Sequence, residues 1–160
     1  ALGVEMVDLE TVLRESDYVS LHLDLSDKTY HMIDARALAT MKSDAFLINT
    51  ARGAIVDEIA LADALRAGKL RGAGIDTFEQ IDVHGGVDGP QEHPFFELDN
   101  IILTPHTAAF SVEAAEDVQR GAIENVVSVL NDRLPAEGNI GNWGGEPRVA
   151  LGAHDAGILK

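Results

Sequence analysis

Ala45-Phe46-Leu47-Ile48-Asn49, followed at once by Thr50-Ala51-Arg52-Gly53, is the stretch that decides the fold. A near-continuous apolar run of this length is the pattern of a strand buried on both faces, as in a parallel sheet. On its N-terminal side, Asp34 is placed to cap a helix with Leu38 and Met41 inward, preceded by a strand over Tyr18–Leu23. Further back, Asp8 caps a helix carrying Leu9, Val12 and Leu13, which ends near Ser16-Asp17, and Val4–Val7 reads as a short strand. On its C-terminal side, Asp57 caps a helix through Leu61 and Leu65, and Gly68 is its stop. Gly72–Asp76 and Ile101–Thr104 are two further strands, and Ser111 caps a long helix with Val112, Ala115, Val118, Ala122, Val126 and Leu130 on its apolar stripe. Strands alternating with helices predict right-handed crossovers and an α/β, parallel, doubly wound sheet.

The chain has 160 residues, 46% apolar and 24% charged, the usage of an ordinary globular domain. It carries 12 basic and 27 acidic side chains, a net charge of −15. Such a surface repels phosphate backbones, so neither nucleic acid nor an anionic membrane is expected as a partner. Cysteine is absent, which removes thiolate chemistry and disulfides and favours a cytoplasmic location. No apolar run approaches the roughly 20 residues of a membrane-spanning helix. The stretch from Ile81 to Glu97, with Gly85-Gly86, Gly89-Pro90 and Pro94, reads as a long surface loop, and Gly138–Lys160 as a poorly ordered tail.

In doubly wound sheets ligands sit at the carboxyl ends of the strands. Three strand ends carry polar residues there: Asn49-Thr50-Ala51-Arg52, Ile75-Asp76-Thr77 and Thr104-Pro105-His106-Thr107-Ala108. A parallel sheet brings Arg52, Asp76 and His106 to one edge. A guanidinium grips a carboxylate through two parallel hydrogen bonds. An imidazole, with a reference pKa of about 6.5, exchanges a proton near neutral pH. Together they suit a 2-oxo acid whose carbonyl is protonated as hydride arrives, with Asp76 placed to accept from a nicotinamide carboxamide. Taken singly, each has an ordinary structural use as a surface ion-pair partner, a turn cap or a strand terminator; their equivalent topological positions favour function. His84 and His93, flanked by Asp82, Asp88 and Glu92, match no metal-ligand spacing and read as solvated loop residues, so no metal is expected. His22 either borders the crevice or packs at its strand end, and His31 and His154 receive no role.

Four segments resemble the D-isomer-specific 2-hydroxyacid dehydrogenases: Met41 through Asp57, Tyr18-Val19-Ser20-Leu21-His22-Leu23, Ala73-Gly74-Ile75-Asp76-Thr77-Phe78-Glu79, and Leu103-Thr104-Pro105-His106. They occur in the family's order and spacing, over roughly residues 1 to 135. The resemblance implies a Rossmann-like NAD-binding domain that transfers hydride to a 2-oxo acid or from a 2-hydroxy acid. It implies Arg52 as the carboxylate clamp and His106 as the acid–base, with Thr50, Ala51, Arg52, Asp76, His106 and Ala108 lining the cofactor site. It also implies a small-molecule acid as partner and a homodimer for the full-length protein.

The sequence departs from the family in two places. Where the family has a Glu that pairs with the His, this chain has Ile81, which offers the imidazole no charge partner; Glu79, Asp82 or Glu92 are the nearby alternatives. No segment matches the family's Gly-x-Gly-x-x-Gly turn, so the sheet is expected to be incomplete, lacking the glycine-rich first βαβ unit, with the Tyr18–Leu23 edge unpaired. The expected organisation is a partial NAD-binding domain over 1–110, a helix over 111–135 packing toward an absent substrate domain, and a flexible tail over 136–160. The expected function is part of an NAD-dependent oxidoreductase that is inactive as an isolated fragment. The alternative is a catalytically silent NAD-fold module acting by association, as in the family's corepressor branch.

Overall fold

The computed structural model describes residues 4–81, 92–131 and 133. Strands β1 (Tyr18–Leu21), β2 (Phe46–Asn49), β3 (Gly72–Ile75) and β4 (Ile101–Leu103) form a parallel sheet in that order. Helices α1 (Leu9–Glu15), α2 (Ala35–Thr40) and α3 (Glu58–Arg66) precede β1, β2 and β3. Since the strands step in one direction and parallel crossovers are right-handed, α2 and α3 fall on the same face, with α1 against α2. Residues 1–108 make one compact unit; residues 109–160 make a second, whose described part is the amphipathic helix α4 (Val112–Leu130).

Each helix begins at the residue chosen for it. The carboxylates of Asp8, Asp34 and Asp57 accept from the amides of Thr11, Ala37 and Ala60 at 2.7, 2.8 and 2.9 Å, and the Ser111 hydroxyl accepts from Ala114 at 3.0 Å. α3 stops at Gly68, whose φ of +65° turns the chain out of the helix. Leu13, Leu38, Leu61 and Leu65 from the helices meet Val19, Leu21, Leu47, Ala73 and Ile75 from the sheet in one core. Each fully buried leucine contributes about 1.5–3 kcal/mol through removal from water.

Two sequence expectations are corrected here. The apolar run of β2 is buried on one face only: Leu47 is inaccessible, while Phe46 and Ile48 are half-buried on the opposite face, beside exposed Tyr18 and Ile102. Tyr18 and Phe46 stack there at 5.3 Å. Val4–Val7 is not a strand, because none of the ladders reaches it and an unpaired segment satisfies its backbone with water. β1 is the sheet edge, as expected. Of the long loop, residues 92–97 are described and include a single 3₁₀ turn over Pro94–Glu97. Asp82, His84 and Asp88, the tail from 136, and His154 lie outside the described residues.

Candidate active site

The ladder aligns Asn49, Ile75 and Leu103 in one row across β2, β3 and β4. Asp76 lies one residue beyond that row, and Arg52 and His106 each lie three beyond it. Adjacent strands stand about 4.8 Å apart, so the exits of β2 and β4 are separated by roughly 10 Å.

Buried Asn49 shapes the Arg52 turn. Its Oδ1 accepts from the Ala51 amide at 3.1 Å, and its Nδ2 donates to the Arg52 carbonyl at 2.9 Å. Both bonds run to main chain, so the side chain reads the turn without limiting which residues occupy it. Arg52 is exposed, with Nη1 donating to the Ala51 carbonyl at 2.7 Å, which leaves most of its donors for a ligand. Gly53 backs the turn: a Cβ there would lie 2.0 Å from the Phe78 carbonyl carbon and 2.3 Å from the Glu79 nitrogen. Only glycine permits that approach.

Asp76, 2% exposed, organises the exit of β4. Its Oδ1 accepts from the Thr104 hydroxyl and from the Thr107 amide at 2.8 Å, and its Oδ2 from the Ala108 amide at 3.0 Å. Burial alone would raise its pKa, but the bonds from Thr104, Ala108 and Thr107, and then the charge of nearby His106, outweigh it and hold the carboxyl below the usual Asp value. His106 sits inside this bonded turn, half-buried, with its amide on the Thr104 carbonyl at 3.0 Å and a φ of +56°. A non-glycine residue in that region is strained, and such strain is held in place by its surroundings. Here three donors on one carboxylate hold it.

Of the described alternatives to Ile81, Glu79 is engaged elsewhere. Glu79 accepts from Tyr30 Oη at 3.0 Å and pairs with His31 Nε2 at 2.8 Å, so it serves the loop before α2 and gives His31 a structural role. Glu92 is exposed and Ile81 half-buried. Asp76 is a carboxylate that the charge of His106 helps to hold ionised. His22 bonds Ser20 Oγ at 2.9 Å on the exposed end of β1. His93 is not solvated: its side chain is inaccessible and meets Glu58 at 3.0 Å. Sequence reasoning passed over Asn49, Thr104, Glu58 and His93 as functional supports. For Asn49 a signal existed, an amide side chain closing a strand at the head of a turn. Among the described residues no cluster of three His, Asp or Glu side chains suits a metal ion.

Over residues 1–108 the sequence matches the NAD binding domain of the D-isomer specific 2-hydroxyacid dehydrogenases. The chain belongs to that family. It is 42% identical over 133 residues to the glyoxylate reductase of Thermofilum pendens, covering 83% of this chain and 38% of the relative. It is 37% identical over 153 residues to the D-3-phosphoglycerate dehydrogenase of Methanocaldococcus jannaschii, covering 95% and 28%. The NAD-complexed D-isomer specific 2-hydroxyacid dehydrogenase of Lactobacillus delbrueckii ssp. bulgaricus superimposes with a TM-score of 0.74 at 32% identity, covering 81% of this chain and 41% of that one. The chain thus spans less than half the length of these 2-hydroxyacid dehydrogenases. NAD is the cofactor of the matched domain family, and the rim carries groups that would suit a carboxamide. Asp76 Oδ2 accepts a single bond and retains capacity for a carboxamide, and the neighbouring Thr77 hydroxyl is buried without a hydrogen-bond partner among the described residues.

Proposed function

We propose that this dehydrogenase-family domain serves the NAD(H)-dependent reduction of a 2-oxo acid, or the reverse oxidation of a 2-hydroxy acid. The observation that carries the reading is the level row Asn49–Ile75–Leu103, from which Arg52 and His106 emerge at one rim with Asp76 between them. Arg52 clamps the substrate carboxylate with its outward donors, fixing which end of the acid faces the sheet. His106 gives its proton to the carbonyl oxygen during reduction and recovers it from the hydroxyl during oxidation. Asp76 holds the turn that presents the imidazole, through its bonds to the Thr107 and Ala108 amides. Thr50, Ala51, Arg52, Asp76, His106 and Ala108 line the side on which the nicotinamide lies. When bound, NADH supplies the hydride.

The reading includes a division of labour. Arg52 is exposed at the rim, and hydride transfer needs a water-poor crevice, so this domain is inactive alone and further surfaces close over it in the working enzyme. The helix α4 leads toward a substrate domain, and the complete enzyme is a cytoplasmic homodimer whose partner is a small 2-oxo acid. The test is NADH oxidation with glyoxylate and a panel of 2-oxo acids, by the 160-residue chain and by an enzyme joining it to a relative's remaining segments. Turnover by the joined enzyme alone is the expected result. NADH binding without turnover on any oxo acid overturns the proposal in favour of a silent association module.

A further inference from the structure

Glu58 opens α3 with an acidic residue in the first turn, where a carboxylate normally sits in water facing the helix dipole. This one is 2% exposed. A buried carboxylate is unfavourable unless every oxygen is satisfied. Both are. Oε1 accepts from the Glu79 amide at 2.9 Å, and Oε2 faces His93 Nε2 at 3.0 Å. The tautomer follows from the other side of the ring, because His93 Nδ1 accepts from the Phe95 amide at 3.3 Å and the proton therefore sits on Nε2. His93 is enclosed edge-on by Phe78 and Phe95, at centroid distances of 5.8 and 4.6 Å.

One carboxylate therefore joins the segment leaving β3 to the turn that leads into β4. The segment it holds is the wall behind the substrate clamp, since the Phe78–Glu79 peptide is where Gly53 comes to rest. The far side of that wall is fixed by Tyr30 and His31 on the Glu79 side chain. We propose that Glu58 is a positioning residue for Arg52. Its two bonds fix the Phe78–Glu79 peptide, and that peptide sets the height of the Arg52–Gly53 turn above the sheet. Its importance for turnover rests on Arg52 being the carboxylate clamp; its structural part does not.

The test reads the chain by nuclear magnetic resonance without cofactor or substrate, so a failure of the dehydrogenase reading leaves it intact. In Glu58→Ala, exchange of the Glu79 amide accelerates about tenfold to a hundredfold relative to the Leu47 amide, the loss expected for a hydrogen bond to a charged group. The Gly53 amide and Arg52 Nε–H resonances shift with it. Glu58→Gln offers one acceptor in place of two. It restores Glu79 protection in part, and the His93 ring nitrogens report a changed environment. If Glu58→Ala does not fold, His93→Gln is read instead: it keeps a donor toward Glu58, and Glu79 protection persists while the Phe95 amide shifts. Glu79, Gly53 and Arg52 signals that stay unmoved in a folded Glu58→Ala or Glu58→Gln chain overturn the proposal and leave Glu58 a helix-terminal charge. A lost Glu79 protection with unmoved Arg52 and Gly53 signals overturns the link to the clamp. With the joined enzyme, Glu58→Gln raises the KM for glyoxylate more than it lowers kcat.

Discussion

On the proposed reading Arg52 holds the substrate and His106 protonates it, so their removal reads differently. Arg52→Ala raises the KM for a 2-oxo acid about tenfold to a hundredfold, because a charge-assisted bond to the carboxylate is worth about 1.5–3 kcal/mol. His106→Ala lowers kcat about 10²- to 10⁴-fold, the usual contribution of a positioned acid–base. Steady-state kinetics of the joined enzyme with glyoxylate separate the two, as a KM effect for Arg52→Ala and a kcat effect for His106→Ala. Asp76 adds a pH signature. Its folded-state pKa is held below the ordinary Asp value of about 4. Its stabilisation is therefore complete above that value and disappears as pH falls through the lower folded one. Asp76→Asn flattens this acid limb, which urea midpoints measured across pH reveal. An asparagine there also turns a donor toward either Ala108 or Thr107, loosening the turn around His106.

The elements were legible because their causes are local. Asp8, Asp34, Asp57 and Ser111 each bond an amide three residues on, and a cap followed by apolar spacing is visible in any short window. The rim was legible for the same reason, since strand ends in a parallel sheet share one edge whatever packs around them. The rest depends on partners far along the chain. Glu58 and His93 are 35 residues apart, Asp76 and Thr104 are 28 apart, and Glu79 and His31 are 48 apart. No periodicity encodes those meetings, so His93 read as a solvated loop residue and Glu58 drew no role. The strand at Val4–Val7 failed on the same ground, because a pattern suits pairing but does not provide a partner. Leu47 shows how much one element carries. It is inaccessible at the centre of β2, and Leu47→Ala lowers stability by about 2–5 kcal/mol, measurable as a shift in chemical-denaturation midpoint.

Across unit 1 the two faces of the sheet differ. One is packed with helices; the other presents Tyr18, Phe46, Ile48 and Ile102. A parallel sheet ordinarily has both faces covered, and an apolar face left exposed among the described residues, beside the edge strand β1, favours self-association. Replacing Tyr18 and Ile102 by Lys lowers the associated fraction in light scattering with little change in melting temperature, since both side chains are already exposed. The bonds that shape the rim behave quite differently from this face. Asn49 and Asp76 address the main chain at Ala51, Arg52, Thr107 and Ala108. The scaffold thus works like a socket whose inserts are interchangeable: because these bonds reach main chain alone, exchanging the side chain at Thr107 or Ala108 leaves the backbone that carries Arg52 and His106 at its stations.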